Sequence, residues 1–225
     1  MFEIVFDVEQ EREKREKAAD NLVILASERA GSELIFKEDG IPQIARLMKV
    51  EKNTTIRLSM IRCIGSLCKD NEERSKAVLT ACGIPFFLDI LSTHSMDMVN
   101  ASGYIIQIIL DSISHAGIQK AIQEKKKDPR KMSSDDRKWC RSEEARRAEI
   151  IKGNKKELDG IMHVLTWNVT SRTITAEARD AIIQLIMKNC PWYELDWAIK
   201  MLDTDAYQRL LDVASEHAEY KHESS

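Results

Sequence analysis

Metal binding and nucleophilic catalysis need histidines, cysteines or carboxylates at short recurring spacings, and this 225-residue chain holds five of each of the first two. His94, His115, His163, His217 and His222 are scattered, and none has a Cys or carboxylate at ligand spacing that recurs elsewhere. Cys63, Cys68, Cys82, Cys140 and Cys190 form no Cys-x-x-Cys pair and are odd in number, so they read as reduced core thiols of a cytoplasmic protein. Cys63 and Cys68 lie five apart on one helix and project about 140° from each other, an unsuitable pair for one metal. The chain has no Gly-rich phosphate loop, no His-Glu-x-x-His, no Gly-x-Ser-x-Gly and no EF-hand spacing. A non-enzyme without cofactor or metal is therefore expected.

With no reacting group to position, the informative pattern is one that positions surfaces. Gly40-Ile41-Pro42-Gln43-Ile44-Ala45-Arg46-Leu47-Met48 returns 43 residues later as Gly83-Ile84-Pro85-Phe86-Phe87-Leu88-Asp89-Ile90-Leu91. A glycine able to leave a helix in the left-handed conformation, followed by a proline suited to the first helical turn, stops one helix and starts the next. Apolar residues then recur at helical spacing in both copies, Ile41, Ile44, Leu47 and Met48 against Ile84, Phe87, Ile90 and Leu91. A helical period of forty to forty-seven residues is that of armadillo and HEAT arrays.

Taken in order, residues 3–29 predict one long helix, charged from Glu9 to Lys17 and apolar afterwards. Ser32–Phe36, Ile41–Val50 and Thr54–Lys69 predict a short, a medium and a long helix, with Ser32 as a cap. Glu72–Ala81, Ile84–Ser92 and Met96–His115 repeat that order. Leu22, Ile64 and Ile106 are 42 apart, and so are Leu25, Leu67 and Ile109, which puts three long helices in register. Such units bury their apolar faces only against neighbours and are stable as a stack.

The pattern breaks from Glu124 to Asp136, a charged stretch with Pro and Ser that predicts an exposed loop, followed by a polar helix from Asp136 to Leu158. Glu177–Asn189 predicts a long helix, closed by Cys190-Pro191, and Trp192–Leu202 and Asp205–Ala218 a final pair. The last residues trail off without a stop signal, which predicts that the polypeptide continues. The expected architecture is all-α, an armadillo/HEAT-like right-handed α-solenoid of about four to five repeats. It divides into a long N-terminal helix with regular repeats over 1–123, a charged insertion and polar helix over 124–157, and irregular armadillo-like repeats over 158–225.

Composition narrows the function classes. Only 8 Gly and 4 Pro with 32% charged residues favours long helices over sheets. A net charge of −3 gives no global reason to expect nucleic acid or an anionic membrane as partner. No apolar run of membrane-spanning length occurs, and Met1-Phe2-Glu3-Ile4-Val5-Phe6-Asp7 carries acids where a secretory signal carries bases. Asn53-Thr54-Thr55 and Asn168-Val169-Thr170 read as chance matches to the glycosylation pattern. From Glu124 to Glu157 there are 13 Lys/Arg against 8 Asp/Glu. Interleaved acids and a single aromatic, Trp139, make this basic segment a solvated region before a protein-docking one, and a nucleic-acid footprint last. Trp192, Tyr193 and Trp197 read as packing between repeats.

Armadillo arrays that carry peptides use an Asn ladder on their long third helices. The corresponding positions hold Ile24, Ser66 and Ile108, so an importin-type ladder is missing. The outward polar residues Asn21, Arg62, Ser66, Asn100, Tyr104 and Gln107 remain the candidates for a protein-binding groove.

Two stretches carry a resemblance. Ala18-Ala19-Asp20-Asn21-Leu22-Val23-Ile24-Leu25-Ala26, continuing through Ala30-Gly31 to Ile35-Phe36, resembles the start of the central armadillo region of the UCS myosin chaperones, the uncoordinated-type proteins of muscle and non-muscle cells. Glu177-Ala178-Arg179-Asp180-Ala181-Ile182-Ile183, Leu195-Asp196-Trp197-Ala198, Arg209-Leu210-Leu211-Asp212-Val213-Ala214-Ser215-Glu216 and Glu219-Tyr220-Lys221-His222-Glu223-Ser224 resemble a later part of that region. The likeness runs in order across the chain and is weakest after Lys125.

The resemblance implies a tetratricopeptide domain that engages the ninety-kilodalton heat-shock chaperone and a C-terminal UCS domain that binds the myosin motor, both outside this chain. It implies a central scaffold that sets the distance between the two, with added contacts to the myosin heavy chain motor domain or self-association with a second copy. An armadillo adaptor that binds a linear peptide in its concave groove is the alternative.

Overall fold

The structure, a computed structural model, describes residues 2–7, 9–91, 95–169 and 175–189. Among these residues there are helices and no strands: α1 (Phe2–Phe6), α2 (Arg12–Ser27), α3 (Arg29–Lys37), α4 (Gly40–Val50), α5 (Thr54–Cys68), α6 (Glu72–Cys82), α7 (Ile84–Leu91), α8 (Met96–Ile113), α9 (Ala116–Lys126), α10 (Ser134–Gly153), α11 (Lys155–Val169) and α12 (Ala176–Asn189). The short, medium and long order appears in α3–α4–α5, with 9, 11 and 15 residues; in α6–α7–α8, with 11, 8 and 18 residues, the first two helices exchange lengths and only the long third helix recurs. The aromatic group at 192–197, the two helices expected over 192–218 and the loop at 171–173 lie outside the described residues.

The expected single helix over 3–29 is two helices. Asp7 breaks it: its carboxylate accepts from the backbone N–H of Glu9 at 3.0 Å and from the Gln10 amide at 3.1 Å, a local turn that competes with helical hydrogen bonding. Arg15 of α2 then reaches back and donates to the Val5 carbonyl through Nε at 3.0 Å and Nη2 at 2.9 Å, holding α1 against α2.

Ser32 is not a cap. Helix α3 begins three residues earlier, Glu28 adopts an extended conformation as its N-cap, and Ser32 is buried with its hydroxyl donating to the Arg29 carbonyl at 2.9 Å. Gly31 permits this tight α2–α3 corner: a Cβ there would lie 2.2 Å from the Leu25 carbonyl oxygen.

Helices α2 and α5 make the main packing of the first repeats. Ala18, Ala19, Leu22 and Ala26 are buried on α2, and Ile56, Met60, Cys63, Ile64 and Leu67 on α5. The small residues of α2 let the backbones approach, and each large aliphatic buried on α5 contributes about 1.5–3 kcal/mol relative to exposure. Polar contacts fix the register. Ser59 Oγ donates to Asp20 Oδ1 at 2.7 Å, and Asn53 Nδ2 donates to Glu16 Oε1 at 2.8 Å. Asn53 Oδ1 also caps α5 by accepting from the N–H groups of Thr55 and Ile56, so this Asn-x-Thr triplet is a helix start.

The left-handed device of the repeat is displaced by one residue in its first copy. Asp39, with φ 52°, takes the positive φ and Gly40 is the first residue of α4, whereas in the second copy Gly83 itself has φ 72°. Asp tolerates this region better than most side chains. A second pair, Asp70 at φ 54° and His115 at φ 48°, marks the turns after the long helices α5 and α8.

The charged stretch after residue 123 is mostly helical. Helix α9 runs through Lys126, and α10 starts at Ser134 with a reciprocal cap in which Ser133 Oγ accepts from the Asp136 N–H at 3.0 Å and Asp136 Oδ2 accepts from the Ser133 N–H at 3.2 Å. The exposed loop shrinks to the residues between these helices, and the polar helix ends at Gly153. Ion pairs that composition alone does not reveal, Lys125 with Asp136 and Lys126 with Glu144, join α9 to α10. Arg147 is buried under the hairpin, its Nε donating to the Ser114 carbonyl at 3.2 Å and Nη1 to Gln119 Oε1 at 3.4 Å.

The chain forms two compact units. One comprises Met1–Gly83 with Tyr104–Leu158, and the other Ile84–Gly103 with the residues from Asp159 onward. The core of the second unit is Phe87, Ile90 and Leu91 of α7, Met98 and Val99 of α8, Ile161, Met162 and Leu165 of α11, and Ala178, Ile182 and Ile186 of α12. Gly103 meets α12 in that unit, where an added Cβ would lie 4.0 Å from the Ala181 Cβ.

Candidate functional site

Each long helix buries one face, which fixes what the opposite face displays. Leu22, Ile64 and Ile106 are all buried to within 1%, as the 42-residue register requires. Two residues before each of them stand Asp20, Arg62 and Tyr104, and all three are exposed, Tyr104 to 63%. Helix α5 lies beside the C-terminal half of α8, because a Cβ on Gly65 would meet Ile105 Cγ1 at 3.2 Å and Ser112 Oγ donates to the Cys68 carbonyl at 2.8 Å. An anion, a cation and a phenol thus occupy equivalent positions on α2, α5 and α8.

The other candidate residues fall out unequally. Asn21 and Arg62 are exposed, and Ser66 is half-buried. Asn100 is exposed and belongs to the second unit. Gln107 is a correction. It is only 7% exposed and its amide donates to Asp111 Oδ1 at 2.6 Å, so it folds back along its own helix and offers no outward contact. Of the ladder positions, Ile24 is 59% exposed and Ile108 is buried. Helix α8 buries Ile105, Ile106, Ile108, Ile109, Leu110 and Ile113, apolar on most sides, whereas α2 keeps Ile24 in solvent.

Asp20 is a further member of this surface that is not among the candidate groove residues. The signal was present, since it precedes Arg62 by the same 42 residues that relate Arg62 to Tyr104. What the surface offers is charge, hydrogen bonding and two exposed apolar groups, the equipment of non-covalent recognition.

A second cluster lies in the same unit. Glu72, at the start of α6, accepts from Lys76 Nζ at 2.8 Å and from Asn154 Nδ2 at 3.0 Å, and its Oε2 is paired with His115 Nε2 at 2.8 Å. Partial burial pushes the Glu72 carboxyl upward, but the hydrogen bonds from Lys76, His115 and Asn154 outweigh it and hold it at about 2. Asn154 is buried and also donates to the Ile113 carbonyl at 2.9 Å, so the cluster ties the α10–α11 junction to α6 and α8. Its role is structural. Among the described residues no group of three or more His, Cys, Asp or Glu could hold a metal ion.

The thiols are equally unsuited to chemistry. Cys63 and Cys68 are fully buried, and desolvation pushes both up to about 12. Among the described residues no helix is long and apolar enough to cross a membrane. On the face of α4 that meets α6 there is an open groove of about 600 Å³, lined by Pro42, Ala45, Val50 and Ala77, with Arg46 and Lys49 at its edge.

No family profile matches the sequence. The chain is 29% identical over 191 residues to unc-45 homolog B of Danio rerio and 30% identical over 195 residues to that of Xenopus tropicalis, alignments that cover 85% and 87% of this chain. In each case the match covers 18% of the relative, so the chain spans about a fifth of the curated proteins it resembles. Among solved structures, UNC-45 from Drosophila melanogaster matches with a TM-score of 0.72 at 30% identity, over 94% of this chain and 24% of that one. The myosin chaperone UNC-45 from C. elegans, crystallised with an Hsp70 peptide, shares the fold with a TM-score of 0.68 at 20% identity, over 95% of this chain and 23% of that one. The fold is thus an all-α, armadillo-type solenoid, and in sequence and fold alike the chain matches a stretch of the UNC-45, or UCS, proteins.

Proposed function

We propose that this chain is a non-catalytic scaffold of a myosin-directed co-chaperone, which supports the folding and assembly of myosin motors through geometry and surface contacts. The observation that carries the reading is the 42-residue register of the long helices α2, α5 and α8 in a chain 30% identical to UNC-45 of Drosophila melanogaster over most of its length. The C. elegans relative is described as a myosin chaperone and has been crystallised with peptides of Hsp70 and Hsp90. On this reading the client is the myosin heavy chain motor domain, and the ninety-kilodalton heat-shock chaperone is engaged through a tetratricopeptide domain beyond this stretch. The work is cytoplasmic and needs no cofactor. A solenoid suits it because each repeat adds a fixed increment of length.

The test is heat-induced aggregation of a purified myosin motor domain, followed by light scattering with and without the folded chain, beside an unrelated aggregating protein. Suppression confined to myosin supports client contact by this stretch. Equal suppression of both proteins, or of neither, overturns client contact and leaves only the spacing role.

The exposure of Arg62 and Tyr104 at equivalent positions favours a second reading, an armadillo adaptor for a linear peptide. Capture of a peptide library that is lost on Arg62→Ala with Tyr104→Ala supports the adaptor, and capture that survives both substitutions rules it out.

A further inference from the structure

We propose that the outward face of α10 is a docking site for a carboxylate-rich helical segment of a partner protein. The inference is independent of the myosin reading, since it concerns a different surface. Along this segment the acids and bases do not cancel evenly. Asp136 is paired with Lys125, Glu144 with Lys126 of α9, and Glu143 with Arg146, which commits these acids to contacts within the hairpin. Arg137, Lys138, Arg141 and Lys152 are exposed, and among the described residues none of them makes an ion pair or side-chain hydrogen bond. At 3.6 residues per turn these four lie within about 100° of the helix circumference and extend about 22 Å along it. The buried Cys140 and Arg147 lie about 60° and 80° round the helix from Arg137, on the side away from Lys138, so the strip starts at the edge of the buried face. The result is a cationic strip on a chain whose net charge is −3.

The occupant follows from charge and spacing. Arg137, Lys138 and Arg141 are grouped within two turns, which matches carboxylates placed four apart on an opposing helix. Ala145 and Ala148 lie between Arg141 and Lys152 on the same face and keep the strip low enough for a backbone to approach. A continuous phosphate backbone fits poorly. Glu149 borders the strip, and Trp139, the aromatic of this segment, is covered by Lys125 at 5.2 Å from its ring and stands on another side of the helix from Arg137, so it gives no stacking platform.

The test is fluorescence anisotropy of the full chain with three labelled probes: a helical alanine peptide with glutamate at every fourth position, its glutamine counterpart, and a single-stranded oligonucleotide. The glutamate peptide is expected to bind best, to weaken with added salt, and to lose at least tenfold in affinity with R137E, K138E and R141E combined. Lys37→Glu on α3 serves as the control and is expected to leave binding unchanged. The charge-neutral pair R137Q and R141Q, with melting followed by circular dichroism, gives the same reading should the triple reversal fail to fold. Equal binding of the glutamine peptide, tighter binding of the oligonucleotide, or unchanged affinity in the folded variants overturns the proposal.

Discussion

His115 Nε2 lies 2.8 Å from Glu72 Oε2, so the turn that ends α8 is tied to the first turn of α6 across 43 residues of sequence. That separation is one repeat. Because Asn154 donates to the same carboxylate, the repeat contact also anchors the α9–α10 hairpin, and one glutamate links three points of the first unit.

The Glu72 contact makes stability depend on acid in a defined window. Its folded value of about 2 is below its ordinary 4.5, so its stabilisation is fully present above about pH 5 and is lost as pH falls toward 2. Acid unfolding followed by circular dichroism should therefore be shallower between these limits in Glu72→Gln than in the parent. Parallel curves would remove Glu72 from the acid response.

Arg15 and Glu51 form a buried pair, their side chains 10% and 8% exposed. Arg15→Ala leaves the Glu51 carboxylate with only the Asn53 and Lys52 backbone donors and frees the Val5 carbonyl, at a cost of about 3 kcal/mol. Urea denaturation measures it. Arg15→Met with Glu51→Leu should recover most of that loss, because no charge then remains buried.

Two glycines should be intolerant for different reasons. Gly31→Ala drives a Cβ against backbone 2.2 Å away, and Gly83→Ala forces a side chain into φ 72°, ψ 154°. Each is expected to lower stability by about 1–3 kcal/mol. Asp39→Gly should raise it by about 0.5–1 kcal/mol, since a residue at φ 52° gains from losing its Cβ more than the unfolded chain gains in freedom. Melting temperatures of the three variants decide whether the corner, the turn or neither limits the fold.

Cys63, Cys68 and Cys82 should resist thiol reagents at pH 8 in the folded chain, because burial holds the first two at about 12 and the third at about 11. Modification should appear only with unfolding. Rapid labelling of all three in native buffer would show that the α2–α5 core opens locally.

The sequence by itself determined the helices around the two Gly-Ile-Pro boundaries, the 42–43-residue register and the buried stripe, because these are local properties: 3.6-residue periodicity, a Gly-Ile-Pro boundary, and Leu22, Ile64 and Ile106 at constant spacing. It could not determine which polar residues remain outward. Gln107 is as polar in sequence as Arg62, yet α8 buries it against its own Asp111, while Asp20 is left exposed at the position equivalent to Arg62 and Tyr104. Nor does composition reveal that the charged stretch after residue 123 folds as a hairpin, since what orders it is pairing at a distance: Lys126 with Glu144, Arg147 with the Ser114 carbonyl, Asn154 with Glu72. Charge counts are blind to partners far along the chain, and only tertiary packing chooses which cations are consumed in the fold and which, like Arg137 and Arg141, stay free for another molecule.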